Sequence, residues 1–373
     1  MLNVQQFLVD NSVEELVKQY NIKVRDYPED NILMLNYDMI DSPKTHPITM
    51  ECRSLILDRT NYNIISKKFD RFFNLGENPE SYLDFDWDNC YITEKVDGSL
   101  TGVYYNPNTA RFEISSRSQA KAELDHEVFG NWREVIISTF GFNSEEEFQE
   151  FFNEIRNSKD ITFIFEFISP LNRIVTPYSE PKMVFLGGTF TDNEPLSKYD
   201  MGFFMENYFN KINVRLPEFY DIPHDTDALI KLANTLPNLQ EGFVLWDEHT
   251  NKRIKLKSTA YLVAHRMRGE DSKPTRKNIL NLIFTGEVDE FLVYFPEYKE
   301  FFDKENDNIN DLNQNLNSLW QSVKHIEDQK EFALKIKDND LSSILFMAKK
   351  QGIHPIQVFH NLPADKKIRY FNV

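Results

Sequence analysis

The chain is predicted to be α+β: antiparallel sheets flanked by helices over residues 1–265, followed by an all-α segment over residues 266–373. Three observations predict it. Short runs rich in β-branched and aromatic residues recur through the first two-thirds, separated by turn residues. Helical patterns stand between some of them. After about Tyr261 the strand signal fades, and only amphipathic helical patterns follow. At 373 residues the chain also exceeds a typical single domain, which agrees with a boundary near residue 265.

Taken in order, the strand-like runs are Ser54–Leu57, Tyr91–Thr93, Thr101–Tyr105, Phe112–Ser115, Thr162–Ile168, Met183–Leu186, Gly242–Trp246 and Arg253–Leu256. Asn106-Pro107-Asn108 reads as a hairpin turn between two of them. Helices are expected over Glu123–Phe140, Ser144–Arg156 and Asp225–Leu236, then over Lys277–Phe284, Asp289–Phe295 and Leu341–Lys350. Leu312, Leu316, Leu319, Val323 and Ile326 recur at steps of four and three, which puts one apolar seam along a helix. Two heptads are short for a partner coiled coil, so the seam is read as core packing.

Composition narrows the function classes. Hydrophobic residues make up 41% and charged residues 27%, ordinary values for a globular protein, while 31 Phe and 16 Tyr supply large aromatic cores. No apolar run reaches the roughly 18 residues of a membrane span. Asp10, Glu14 and Glu15 lie in the first helix-like stretch, with no small-residue cleavage pattern, so no signal peptide is expected. Cys52 and Cys90 form no CxxC pair, which argues against a zinc site or disulfide framework and fits a reducing cytoplasm. A net charge of −17 excludes a protein that coats nucleic acid nonspecifically. A local basic groove is compatible with it: Lys252, Arg253, Lys255, Lys257, Arg266, Arg268, Lys273, Arg276 and Lys277 crowd one short stretch.

The chemistry is carried by four separated segments. Glu94-Lys95-Val96-Asp97-Gly98-Ser99 lies between two strand-like runs and presents a lysine at a strand end. Gly98 allows a tight turn or the close approach of a nucleotide. A lysine amine attacks phosphorus only when unprotonated, so desolvation or neighbouring cations must favour that form. Alone the motif is weak; Lys-x-Asp-Gly arises by chance in roughly one such chain in ten. Downstream, Glu166 interrupts the apolar run Phe163–Ile168 and is suited to accept hydrogen bonds from ribose hydroxyls. Glu241 opens the strand Gly242–Trp246 with a carboxylate able to hold a metal ion. In Arg253-Ile254-Lys255-Leu256-Lys257 the period-two alternation puts three cations on one strand face, where they would bind an α-phosphate and stabilise the charge of leaving pyrophosphate.

In order and spacing, Lys95-Val-Asp97-Gly98, Glu166, Glu241-Gly242 and Lys255-Leu-Lys257 resemble motifs I, III, IV and V of the covalent nucleotidyltransferases. Glu51-Cys52-Arg53, Arg71-Phe72-Phe73-Asn74-Leu75-Gly76-Glu77 and Glu166-Phe-Ile-Ser-Pro170-Leu-Asn172-Arg173-Ile174-Val175 are more specific, and are similar to the bacteriophage RNA ligase 1 family. The resemblance covers nearly the whole chain and is weakest after residue 265.

That resemblance implies an ATP-dependent RNA ligase with an N-terminal nucleotidyltransferase domain. Lys95 is implied to be the nucleophile that carries AMP. Tyr37, Arg53, Arg71, Gly98, Arg117 and Tyr261 are implied to contact the nucleotide, with Lys255 and Lys257 on its phosphates. Glu166 and Glu241 are implied to be essential acids, the first at the ribose and the second near Mg²⁺. Asp289, in Gly286-Glu-Val-Asp289, aligns with a family metal ligand or else caps a helix. One departure stands out: where this sequence has Arg71 the family usually has lysine, and a planar fork places its donors differently. The implied partner is RNA with a 5′-phosphate and a 3′-hydroxyl end, a nicked tRNA among the candidates, handled by a monomer in the cytoplasm (of a host cell if viral) without a membrane. A DNA ligase or capping enzyme would append a small β-barrel after motif V, whereas helical sequence follows here. A decayed RNA-binding module is disfavoured because every position expected to do chemistry is occupied.

Overall fold

The computed structural model describes residues 1–38, 41–123, 125–126, 130–221, 225–237, 239–258, 260–261, 274–286, 288, 292, 296–337 and 339–371. Contacts divide the chain into two compact units, Met1–Tyr261 and Leu262–Val373. The first is built on largely antiparallel sheets and the second is helical among its described residues, so the α+β class holds.

The first unit contains two five-stranded sheets. One runs in the order Val214–Arg215, Lys182–Phe190, Ile161–Ile168, Ser99–Asn106, Arg111–Ser115. The other runs Phe219–Tyr220, Tyr91–Glu94, Gly242–Asp247, Lys252–Lys257, Phe73–Asn74. Strand periodicity decides what each face does. In Ile161–Ile168, the residues Ile161, Phe163, Phe165 and Phe167 point into an aromatic core with Phe140, Phe148, Phe152, Phe185, Phe204 and Phe209. The helices Trp132–Phe140, Glu145–Glu154 and Lys198–Asn207 supply that core's outer wall. In the second sheet Ile92, Phe243, Leu245, Ile254 and Leu256 pack against Leu229 and Ala233 of the helix Thr226–Ala233. The outer faces are thus sealed by helices. The alternate residues, Glu166 in one sheet and Thr93, Val244, Trp246, Arg253, Lys255 and Lys257 in the other, are left for the opposite faces.

A four-stranded antiparallel sheet, Ile22–Tyr27, Ile32–Tyr37, Arg53–Asp58 and Ile64–Ser66, forms the N-terminal part. This sheet and the helices Asn3–Asp10 and Val13–Tyr20 pack around Val4, Leu8, Leu16, Leu35 and Leu55. All eight strand-like runs are strands, each a residue or more longer than expected. The helix expected over Glu123–Phe140 is corrected: Gly130, at φ +73°, pairs with His126, and Asn131 with Asp125, in a short antiparallel ladder, and the helix starts only at Trp132. The Asn131 side chain caps it by accepting from the backbone N–H of Arg133 and Glu134.

In the second unit the apolar seam lies on a 25-residue helix, Lys299–Val323. Leu316 and Val323 are buried, Leu312 and Leu319 pack against the same core, and Ile326 joins it just beyond the helix end. The seam is core packing, closed by Arg276–Thr285, Gln329–Ile336, Ser342–Gln351 and Pro355–Asn361. Of the pattern expected over Asp289–Phe295 only Leu292 is described; the candidate ligand Asp289 lies outside the described residues, as do Arg266, Arg268 and Lys273. Among the described residues no helix is long and apolar enough to cross a membrane.

Candidate active site

The strand Tyr91–Glu94 ends where Lys95 begins, and the chain then crosses through Asp97-Gly98 to Ser99–Asn106 in the other five-stranded sheet. Lys95 therefore sits at the point where the backbone changes sheets. Asp97 is buried and holds this crossing: one carboxylate oxygen accepts from the backbone N–H of Val175 (2.8 Å) and Thr176 (2.7 Å), the other from the Tyr261 hydroxyl at 2.8 Å. The close approach that Gly98 permits is to the neighbouring strand. A Cβ there would fall 2.3 Å from the Phe167 carbonyl oxygen and 3.0 Å from Glu166 Cγ.

Lys95, Arg53, Glu166 and Arg253 line one cavity, together with Thr93, Val244 and Trp246 from the inner face of the second sheet. Glu241 stands at the start of the strand Gly242–Asp247, directly across from the Lys95 turn. Its Oε2 lies 2.5 Å from Lys95 Nζ and its Oε1 2.9 Å from Lys257 Nζ. Burial raises the Glu241 carboxyl, but the two lysines outweigh it and the net shift is downward, so this acid is ionised. Glu166 goes the other way. Burial in the cavity wall and the nearby Glu241 carboxylate overcome Lys95 and Arg53, and its carboxyl is pushed up to about 8. Two acids facing one lysine thus hold different protonation states, one an acceptor and the other a hydroxyl donor at neutral pH.

Lys255 is surrounded mainly by cations, with Glu77 as a weaker opposing charge. Burial, followed by Arg53, Lys95 and Lys257, lowers its amine to about 7, and its Nζ stands 4.7 Å from the centre of the Phe72 ring. Arg253, on the same strand face, stacks 4.0 Å over Phe69 and 4.9 Å over Trp246. The remaining expected contacts form a separate stack. Arg71 lies 4.3 Å and Arg117 4.8 Å from the centre of the Tyr37 ring, so Tyr37 carries two guanidinium groups. Here the replacement of lysine by arginine has a structural use, because the planar group also packs 5.3 Å over Phe73. Arg71 Nη1 is buried without an acceptor among the described residues. Arg53 joins the two clusters, since Tyr37, Arg117 and Glu166 all act on its guanidinium.

Sequence reasoning missed several supports. Arg215 makes a fork to Glu94 (2.7 and 3.0 Å) beside the nucleophile candidate, and Asn172 donates to Ser99 Oγ at 2.8 Å. Neither pairing has a local signal, because the partners are far apart in the chain. Lys68, wholly buried next to the Arg53 and Arg117 cluster, was also passed over.

The donor set can be tested against a divalent ion. Among the described residues no three His, Cys, Asp or Glu side chains converge as a ready cage. Glu241 is ionised, but both its oxygens are engaged by lysines. A divalent ion here would have to take most of its ligands from phosphates and water.

The model that describes the RNA ligase family matches residues 51–262, more than half of the chain and all of the segments above except Tyr37. A protein of Autographa californica nuclear polyhedrosis virus, named for a bifunctional polynucleotide kinase/RNA ligase, is 30% identical over 318 residues. That match takes in 80% of this chain but only 42% of the viral protein, so the chain spans less than half the length of that relative. The RNA ligase of Rhodothermus phage RM378 is 25% identical over 363 residues, 78% of each chain. Among solved structures, a mutant Naegleria gruberi RNA ligase with ATP and Mn is similar at a TM-score of 0.41 and 17% identity, over 54% of this chain and 57% of that one. On the family match, and with the lysine, acids and basic strand of that match gathered in one place, the chain belongs to the phage-type RNA ligase family.

Proposed function

We propose that this protein is an ATP-dependent RNA ligase that joins a 5′-phosphate end to a 3′-hydroxyl end through AMP carried on Lys95. The observation that carries the reading is the Lys95–Glu241–Lys257 triad at the edge of a cavity lined by Arg53 and Glu166. Lys95 Nζ attacks the α-phosphorus of ATP and pyrophosphate leaves. Glu241 is the carboxylate within reach to take the amine proton as the N–P bond forms. Lys255, Lys257 and Arg53 offset the negative charge that grows on the phosphates. Glu166, as a carboxylic acid in the cavity wall, presents both a donor and an acceptor to ribose hydroxyls. AMP then passes to the 5′-phosphate of the RNA, and attack by the 3′-hydroxyl releases it. Glu241 and the phosphates would hold Mg²⁺, which would supply further charge neutralisation when bound.

Tyr37, Arg71 and Arg117 extend the nucleotide site, and Asp97, Gly98 and Tyr261 fix the turn that carries Lys95. Residues 1–265 form the adenylyltransferase part on this reading, and residues 266–373 select the RNA, with a nicked tRNA as the kind of substrate. The test is the intact mass of the protein after mixing with ATP and Mg²⁺, and separately with GTP. A gain of one AMP with ATP alone is expected. A guanylyl adduct would point to a capping enzyme, and no adduct would remove the reading.

A further inference from the structure

Lys68 is 1% exposed, and its amine has two acceptors, Ser115 Oγ at 2.7 Å and the Ser116 carbonyl at 3.3 Å. Among the described residues it has no carboxylate partner. Asp70, two residues on, is paired with Lys67 at 2.6 Å. The strand Ser99–Asn106 makes room for it with Gly102, where a Cβ would come 2.6 Å from Lys68 Cε and 2.8 Å from Ser115 Oγ. A lysine placed deliberately in such a niche, without an acid, is costly in its charged form.

The charged groups acting on Lys68 are Arg117 and Arg53, both cations. Ser115 and Ser116, which receive its hydrogen bonds, lead directly into Arg117. That residue is fastened on its other side: its carbonyl accepts from Ser54 Oγ at 2.6 Å, and its guanidinium donates to Asn36 Oδ1. Arg53 lines the cavity beside Lys95 and Glu166. Lys68 therefore stands beside two guanidinium groups; Arg53 lines the cavity, where an anion arriving would add to the counter-charge it already has from Glu166 and Asp70.

We infer that Lys68 is a positioning residue for the nucleotide: it braces the Ser115–Ser116–Arg117 segment from inside, and takes a proton from solvent when the phosphates of a bound nucleotide neutralise Arg53 and Arg117. This rests on the nucleotide-binding reading of the cavity. Burial, then the two arginines, lower the amine to about 7 in the empty protein, so its charge state is poised to respond. The sign follows from linkage. A group whose pKa rises on binding favours binding below its free value, and loses that contribution as pH rises through its bound value.

The experiment is titration calorimetry of the full chain with an ATP analogue bridged by methylene between the α and β phosphorus atoms. It compares wild type, Lys68→Met and Lys68→Arg in two buffers of different ionisation enthalpy. Wild type should take up more protons per nucleotide than either variant at pH 7.5, and its affinity should fall roughly tenfold more than that of Lys68→Met between pH 6.5 and 8.5. Lys68→Arg, charged throughout, should keep its affinity at pH 8.5 and show no extra uptake, and it provides the comparison if the methionine variant fails to fold. Equal proton uptake in wild type and a folded variant overturns the role of Lys68 and leaves the ligase reading intact. Failure of the wild type to bind the analogue overturns both.

Discussion

The Glu241 carboxylate stands 2.5 Å from the Lys95 amine, although 146 residues separate them in the chain. The strand pairing makes this possible. Phe243 is in register with Glu94, and the Lys95 backbone N–H donates to the Gly242 carbonyl at 2.9 Å, so the residues flanking these partners meet at the strand ends. An ion pair of this kind keeps the Lys95 side chain ordered and, on the proposed reading, places an acceptor for its proton.

Lys95→Ala and Lys95→Arg should both abolish the ATP-dependent mass increase. The fold should survive, because Glu241 retains Lys257 as a partner. Intact-mass spectrometry and thermal melting check the two halves of this statement. Covalent AMP on Lys95→Ala would show that another residue is the nucleophile.

Lys255 and Lys257 should separate in stability while agreeing in activity. Each alanine variant should slow adenylylation by about 10²–10³, the usual loss when a group stabilising transition-state charge is removed. Lys257→Ala strips one partner from a buried acid and should cost about 1–3 kcal/mol. Lys255→Met removes a buried cation on which burial and three neighbouring cations outweigh the opposing charge of Glu77, so its stability should hold or rise. Single-turnover kinetics and denaturant melts measure both effects; wild-type rates in the two variants would reduce this strand to a scaffold.

Glu166 should leave a signature in the pH dependence of stability. Its carboxyl is pushed up to about 8 when folded, above the roughly 4.3 of an unfolded chain. Between those values the folded state binds more protons than the unfolded one, so its contribution declines as pH rises from about 4 to 8. Glu166→Gln lacks that decline. Its melting temperature relative to wild type should therefore climb from pH 5 to pH 8, and parallel curves would contradict the raised value.

Gly242→Ala tests the turn that carries Glu241. The residue has φ +137°, and a Cβ there would lie 2.0 Å from the Leu256 carbonyl oxygen. Backbone cannot move aside as a side-chain tip can, so the variant should lose about 1–3 kcal/mol. Adenylylation should fall with it, because Glu241 is displaced from Lys95. Unchanged melting and unchanged rate would show that the strand end adapts freely.

Periodicity along the chain marked the eight principal strands and the apolar seam of the second unit, and the resemblance of its motifs pointed to the family. All of these rest on local chemistry: alternation along a strand, four-and-three steps along a helix, and short residue patterns that survive reading in isolation. The sequence alone also marked Lys95, Glu166, Glu241, Lys255 and Lys257 as a set. What it lacked was the third dimension of that set. Only the tertiary structure decided that Gly98 yields space to the Phe167 carbonyl, and that Asp97 ties the Lys95 turn to Tyr261. It also decided that Arg71 and Arg117 share the Tyr37 ring, and that Lys68 lies behind them without an acid. The opposite protonation of Glu166 and Glu241 belongs there too. The reason is that burial and the sum of surrounding charges depend on distances between segments far apart in the chain, and no pattern along the backbone encodes those distances.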